Sequence, residues 1–234
     1  MSGVRIEALG EDALLLRLGD GVDPEANRRV HALAARVAEA APPWLRELVP
    51  AYASLAVFVA DGTGERDPLE EAGAWLRAFV DTAEAGSQPS NHAASIEIPV
   101  CYAAEYAPDL DALAAHAGLP REEVIARHCA GDYRVAMIGF APGFPYLLGL
   151  DPALAMPRLA TPRTRVPAGS VAVGGAQTGI YPRESPGGWH LVGRTPLSLF
   201  DPGHMPPTLL APGQRVRFRA IDADAFRQWP QART

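Results

Sequence analysis

The chain has 234 residues, 48% hydrophobic and 21% charged, with a net charge of −6. That length can bury a sizeable core in one large or two small domains. No apolar run approaches the roughly twenty residues of a bilayer span, and no basic-apolar leader opens the sequence, so a cytoplasmic protein without membrane association is expected. All 21 basic residues are arginine. Without lysine there is no biotinyl carrier, no Schiff base and no phosphate-loop lysine; anions must be met by guanidinium groups or backbone amides. Residues 1–156 carry 11 Arg against 23 acidic residues, a net of −12, while residues 157–219 carry 8 Arg against Glu184 and Asp201, a net of +6. The acidic front argues against nucleic acid, and the basic stretch suits a carboxylate, a phosphate or an acidic partner. Cys101 and Cys129 lack metal-type spacing and read as small core residues.

In chain order, residues 4–8 and 13–18 read as short strands. Asp23-Pro24 then supplies a helix cap with proline at the first position, and Val30, Leu33, Ala34 and Val37 repeat at helical spacing. Residues 47–49 and 55–59 read as two further strands. Asp67-Pro68 opens a second helix with Leu69, Ala72, Leu76, Phe79 and Val80 as its apolar stripe and Gly86 near its end. The order ββαββα predicts a small antiparallel sheet with two helices on one face, of ferredoxin-like type. This first α/β domain is placed at residues 1–86, with a polar, breaker-rich linker at 87–94 and a second domain at 95–234. There, residues 95–102 alternate as a strand, helices are expected over 109–117 and 121–130, and strands and turns follow from Tyr133 to a last strand at 215–220. A β-barrel closes such a set and removes its edges.

Residues 139–202 are dense in glycine and proline yet interleaved with aromatic residues, the composition of stiff loops rather than a linker. In 139–147 (GFAPGFPYL), Gly139, Phe140, Pro142, Gly143 and Phe144 form either a rigid pocket wall or a strand-connecting turn. Arg163 and Arg165 lie two apart in a strand-like stretch and share a face. That pairing fits an anion site or, alternatively, ion pairs. Gln177 and Thr178 offer uncharged donors and acceptors suited to an amide or lactam, and Tyr181 can add its hydroxyl. Trp189 follows a Ser185-Pro-Gly-Gly turn as a floor or wall; Ser185 has no nucleophile-elbow context. His128 reads as a general acid–base, a substrate hydrogen-bonding group or a packed core residue. No cluster has metal-ligand spacing.

Four stretches, 139–147 (GFAPGFPYL), 161–170 (TPRTRVPAGS), 174–182 (GGAQTGIYP) and 185–195 (SPGGWHLVGRT), resemble the B subunits of bacterial 5-oxoprolinases. That family is also called allophanate hydrolase subunit 1 or the sporulation-kinase inhibitor family. The resemblance implies a cyclophilin-like barrel for the second domain. It further implies an ATP-dependent 5-oxoprolinase that opens 5-oxo-L-proline to L-glutamate together with subunits A and C. On that reading the chain binds no cofactor alone, and ATP with Mg serves the assembled complex. The alternatives are half of a carboxyltransferase or allophanate-hydrolase-like module, and a regulator of a sporulation histidine kinase. A histidine at the His128 position also belongs to the family pattern, whereas Ala136 and His190 stand where relatives are expected to carry an aromatic residue and a glutamine. His190 could tune a site or be a neutral surface change, and the surface reading is the one favoured.

Overall fold

The computed structural model describes residues 4–60, 67–83 and 95–230. The chain divides into two compact units, Met1–His92 and Ala93–Thr234. Gly86 and the linker expected at 87–94 lie outside the described residues.

The first unit begins with the antiparallel pair β1 (Arg5–Ala8) and β2 (Ala13–Arg17). Asp23 caps helix α1 (Pro24–Ala40) by accepting the Glu25 N–H at 2.9 Å, with proline at the first turn. The helix ends at Ala41, which turns left-handed at φ 41° and returns its N–H to Val37. Strands β3 (Leu45–Pro50) and β4 (Ser54–Val59) follow. Asp67 opens helix α2 (Pro68–Ala83) by accepting the Leu69 N–H at 2.9 Å. The sheet order is β1-β2-β4-β3, antiparallel throughout. Strand period sends Leu55, Val57 and Val59 into a core shared with Val30, Leu33 and Val37 of α1 and Ala72, Leu76 and Val80 of α2. The element order ββαββα is as expected; a ferredoxin-like relationship stays an expectation.

The second unit is a closed barrel of seven strands in the order β10-β7-β6-β13-β5-β12-β9. Its members are β5 (Ile96–Cys101), β6 (Tyr133–Ile138), β7 (Pro145–Leu148), β9 (Ser170–Gly174), β10 (Gln177–Ile180), β12 (His190–Arg194) and β13 (Arg215–Ile221). Helices α3 (Leu110–Ala117) and α4 (Arg121–Ala130) lie between β5 and β6. Strands β8 (Arg163–Val166) and β11 (Ser185–Gly187) pair with each other outside the barrel. A last helix, α5 (Ala223–Gln228), is capped by Asp222 and was not foreseen, being only six residues long. Pairing is antiparallel except between β5 and β13, which run parallel over six residue pairs.

Alternation along β9 and β10 gives the barrel wall two apolar faces. Val171, Val173 and Ile180 join the interior core, whereas Ala172 and Tyr181 join a separate cluster with Ala141, Phe144, Val166, Trp189 and Leu191. Among the described residues, no helix is long and apolar enough to cross a membrane.

Candidate functional site

The smaller cluster holds Phe144, Tyr181 and Trp189 of the residues that the sequence singles out. Phe144 stands at its centre, with ring centroids 5.1 Å from Tyr181, 4.9 Å from Tyr146 and 5.8 Å from Trp189. Edge-on geometry dominates these pairs, as ring quadrupoles favour. The glycines of the motifs make room for them. A Cβ on Gly174 would sit 2.6 Å from the Trp189 ring, and one on Gly187 2.7 Å from the Tyr181 ring. These aromatics lie directly on backbone, which only glycine permits at such distances.

The 139–147 loop supplies the outer edge of this floor. Ala141 N–H bonds back to the Gly139 carbonyl at 2.7 Å, a three-residue turn that forces Phe140 to φ 66°. A bulky side chain seldom adopts that backbone. The turn is held by the Gly139 N–H on Phe144 O and the Phe144 N–H on Ala141 O. Phe140 is left 63% exposed while touching Phe144 and Tyr181 edge-on. Pro142 is exposed, and Gly143 is buried against Leu199 and Phe200. The loop is thus a strand-connecting turn between β6 and β7.

Arg163 reaches this site from β8. Its Nη2 donates to Asp109 Oδ1 at 2.6 Å, and Asp109 Oδ2 accepts the Leu191 N–H at 2.6 Å. Asp109 precedes α3 but makes no side-chain cap to it; the carboxylate serves Arg163 instead. The Arg163 Nη1 is buried and has no partner. Arg165, by contrast, is exposed and paired bidentately with Glu184 at 3.0 and 2.8 Å. Ion pairing is thus what both guanidiniums do here, and of the two only Arg163 keeps an uncommitted donor in the interior.

The expected grouping of Gln177, Thr178 and Tyr181 is corrected by strand alternation. Gln177 and Tyr181 share the outer parity of β10 with the aromatic floor, but Thr178 points into the barrel. There it meets His128. Thr178 Oγ1 donates to Ala172 O at 2.9 Å, so it can only accept from His128 Nε2, 3.2 Å away. His128 Nδ1 then accepts the Tyr102 hydroxyl at 2.8 Å, and Cys129 Sγ reaches that hydroxyl at 3.5 Å. His128 stacks on Phe218 and is 1% exposed. Burial lowers its pKa from 6.5 to about 3. It is therefore a neutral core residue, one of the readings its sequence context leaves open, and no proton donor at neutral pH.

Burial raises the Tyr181 pKa, with a bond from the Trp189 backbone and the Arg158 and Arg163 guanidiniums acting in the opposite sense. Tyr146 is also raised by burial, with Arg158 opposing. Both hydroxyls stay protonated and can donate. Sequence reasoning passed over Asp109, hidden as a helix cap, and Arg158, whose guanidinium lies 5.4 Å over the Trp189 ring. It favoured a surface position for His190 over a site-tuning one, whereas His190 is 5% exposed with Nε2 2.9 Å from Pro157 O. Among the described residues, no group of His, Cys, Asp or Glu could hold a metal ion. The Gly175 N–H is given to Met156 O at 2.7 Å.

On the closed barrel, a buried aromatic cluster thus lies next to neutral hydroxyls and guanidinium donors. The corresponding class is set by a family model, "Carboxyltransferase domain, subdomain C and D", which matches residues 4–210. The B subunit of 5-oxoprolinase from Bacillus subtilis is 40% identical over 97% of this chain and 97% of its own length. The chain belongs to the family of 5-oxoprolinase B subunits. Among solved structures, TTHA0988 superposes with a TM-score of 0.74 at 42% identity, covering 90% of this chain, which spans 40% of that one. Urea amidolyase from Kluyveromyces lactis, at 21% identity, shares the fold with a TM-score of 0.71 over 96% of this chain and 15% of its own.

Proposed function

We propose that this chain is the B subunit of a 5-oxoprolinase and opens 5-oxo-L-proline to L-glutamate with subunits A and C. The observation that carries this is the end-to-end match to a protein of that name. The outer face of the barrel supports it. Arg163 keeps a buried donor for a carboxylate, Gln177 has an amide suited to a lactam, and the aromatic floor fits a small flat ring.

Hydrolysis of the lactam breaks one C–N bond: water adds, the carbonyl carbon becomes a carboxylate and the ring nitrogen an amine. Ring opening is uphill unless coupled, and ATP with Mg supplies the coupling in the assembled complex. On this reading the residues of this chain bind and orient the lactam, and the nucleotide is held by a partner or at a shared surface; the Gly175 N–H, committed to Met156 O, is in keeping with that. With His128 neutral and inside the barrel, this chain contributes no histidine proton donor from that position. It is inactive alone and works in the cytoplasm.

The test is ATP-dependent glutamate formation from 5-oxoproline by this chain with and without subunits A and C. Turnover needs all three, and Arg163→Ala lowers it about 10- to 100-fold with assembly intact, the worth of one charge-assisted contact. A second reading, carboxyl transfer on an amide, is favoured by the family description. A complex that assembles yet leaves 5-oxoproline untouched would decide for it.

A further inference from the structure

We propose that Arg158 is a carboxylate-binding residue of this site, held in place by His190, and that the ligand is a small carboxylic acid. The inference rests on the lactam reading above only in choosing 5-oxoproline among such acids.

The segment that carries Arg158 is pinned on both sides. Met156 and Gly175 exchange backbone hydrogen bonds at 3.1 and 2.7 Å. His190 Nε2 donates to Pro157 O at 2.9 Å, and the Leu159 N–H donates to Gly188 O at 2.7 Å. The backbone is therefore fixed immediately before and after Arg158. Its guanidinium lies over the Trp189 ring at 5.4 Å, and no carboxylate among the described residues forms an ion pair with it. Most arginines of the barrel unit have one: Arg121, Arg127, Arg163, Arg165, Arg215, Arg219 and Arg227 are all paired. Stacking uses the face of a guanidinium and leaves its N–H edge free for a bidentate acceptor.

Both guanidiniums, Arg158 and Arg163, oppose the rise that burial gives the Tyr181 pKa. The two cations border one stretch of chain: Arg163 pairs with Gly187 in the β8–β11 ladder, Leu159 next to Arg158 bonds to Gly188, and Arg158 lies over Trp189. The Arg163 Nη1 is buried without a partner. Asp109 answers only the Arg163 charge, and an incoming carboxylate would answer that of Arg158. His190 acts through Pro157 rather than on the ligand, so it is a positioning residue. Its ring is buried, and only its Nε2 side is committed.

The experiment is titration calorimetry of the full chain with 5-oxoproline, glutarate and 2-pyrrolidinone, the last being the lactam without the carboxylate. In Arg158→Ala, binding of both acids is expected to weaken about 10- to 100-fold with 2-pyrrolidinone unchanged. Arg158 is exposed, so this variant should fold. His190→Ala should weaken the same two acids, and His190→Gln, which keeps a donor for Pro157 O, should restore them. Unchanged acid binding in Arg158→Ala overturns the inference and leaves the 5-oxoprolinase reading standing. Glutarate binding that depends on Arg158, with no binding of 5-oxoproline, supports the inference and removes that reading. If neither acid binds the wild-type chain, alone or with subunits A and C, the inference fails.

Discussion

His128 shows how one buried side chain ties stability to acidity. Its neutral form accepts from Tyr102 and donates to Thr178, and protonation would place a charge beside Phe218. The folded pKa is about 3 against an ordinary 6.5, so the unfolded chain binds the extra proton between those values. The stabilisation is complete above pH 6.5 and is lost as pH falls toward 3. Chemical denaturation across that range should show a slope steeper by up to about 1.4 kcal/mol per pH unit than in His128→Leu. Equal slopes would mean that the histidine is not buried in its neutral form. At the same scale, the sequence made residue types legible but not their commitments. Arg163 and Arg165 read alike, yet one is tied to Asp109 with a donor to spare and the other is a solvated pair with Glu184. That difference arises because Asp109, far off in sequence, meets β8 only in the folded barrel.

Strand β10 divides its four residues between two environments, and its alternation explains which expectations held. Periodicity and capping residues located the helices closely: α1 and α2 begin at the proline after the capping Asp, and α4 occupies the expected 121–130. The glycine-rich motifs read as turns, but three-dimensional proximity gives several of their glycines a different task. Gly174→Ala should cost about 1–3 kcal/mol and displace the Trp189 indole, visible as a change in its near-UV signal. Thr178→Val should also cost about 1–3 kcal/mol, because the His128 N–H loses its acceptor, yet leave 5-oxoproline affinity unchanged. A Thr178→Val variant that folds normally and loses affinity would put this residue back among the ligand contacts. Neither parity nor convergence is readable in one strand without its neighbours, which is why Gln177 and Thr178 looked equivalent.

Across the whole molecule, the buried apolar residues fall into separate cores, one confined to residues 14–80 and two within 98–218. Composition and the breaker-rich stretch pointed to such a division, and element order to a small sheet followed by a barrel. The closing order of seven strands was not legible, because the parallel pairing of β5 with β13 joins segments more than a hundred residues apart. Leu76→Ala removes a fully buried side chain from the first core and should cost about 2–5 kcal/mol. Amide hydrogen exchange should then lose protection in residues 4–60 and 67–83 while the barrel strands keep theirs. Loss spread evenly over both units would show that they unfold as one.

The pairing of β5 with β13 also orders events at the ribosome. Everything in the first unit is synthesised before β5, so its sheet can form during synthesis. The barrel, however, is held open at one seam until β13 appears, more than a hundred residues after β5. Until then β5 and β6 present unpaired edges, the templates on which neighbouring chains aggregate. A nascent chain stalled before Arg215 is therefore the form of this protein most in need of a chaperone.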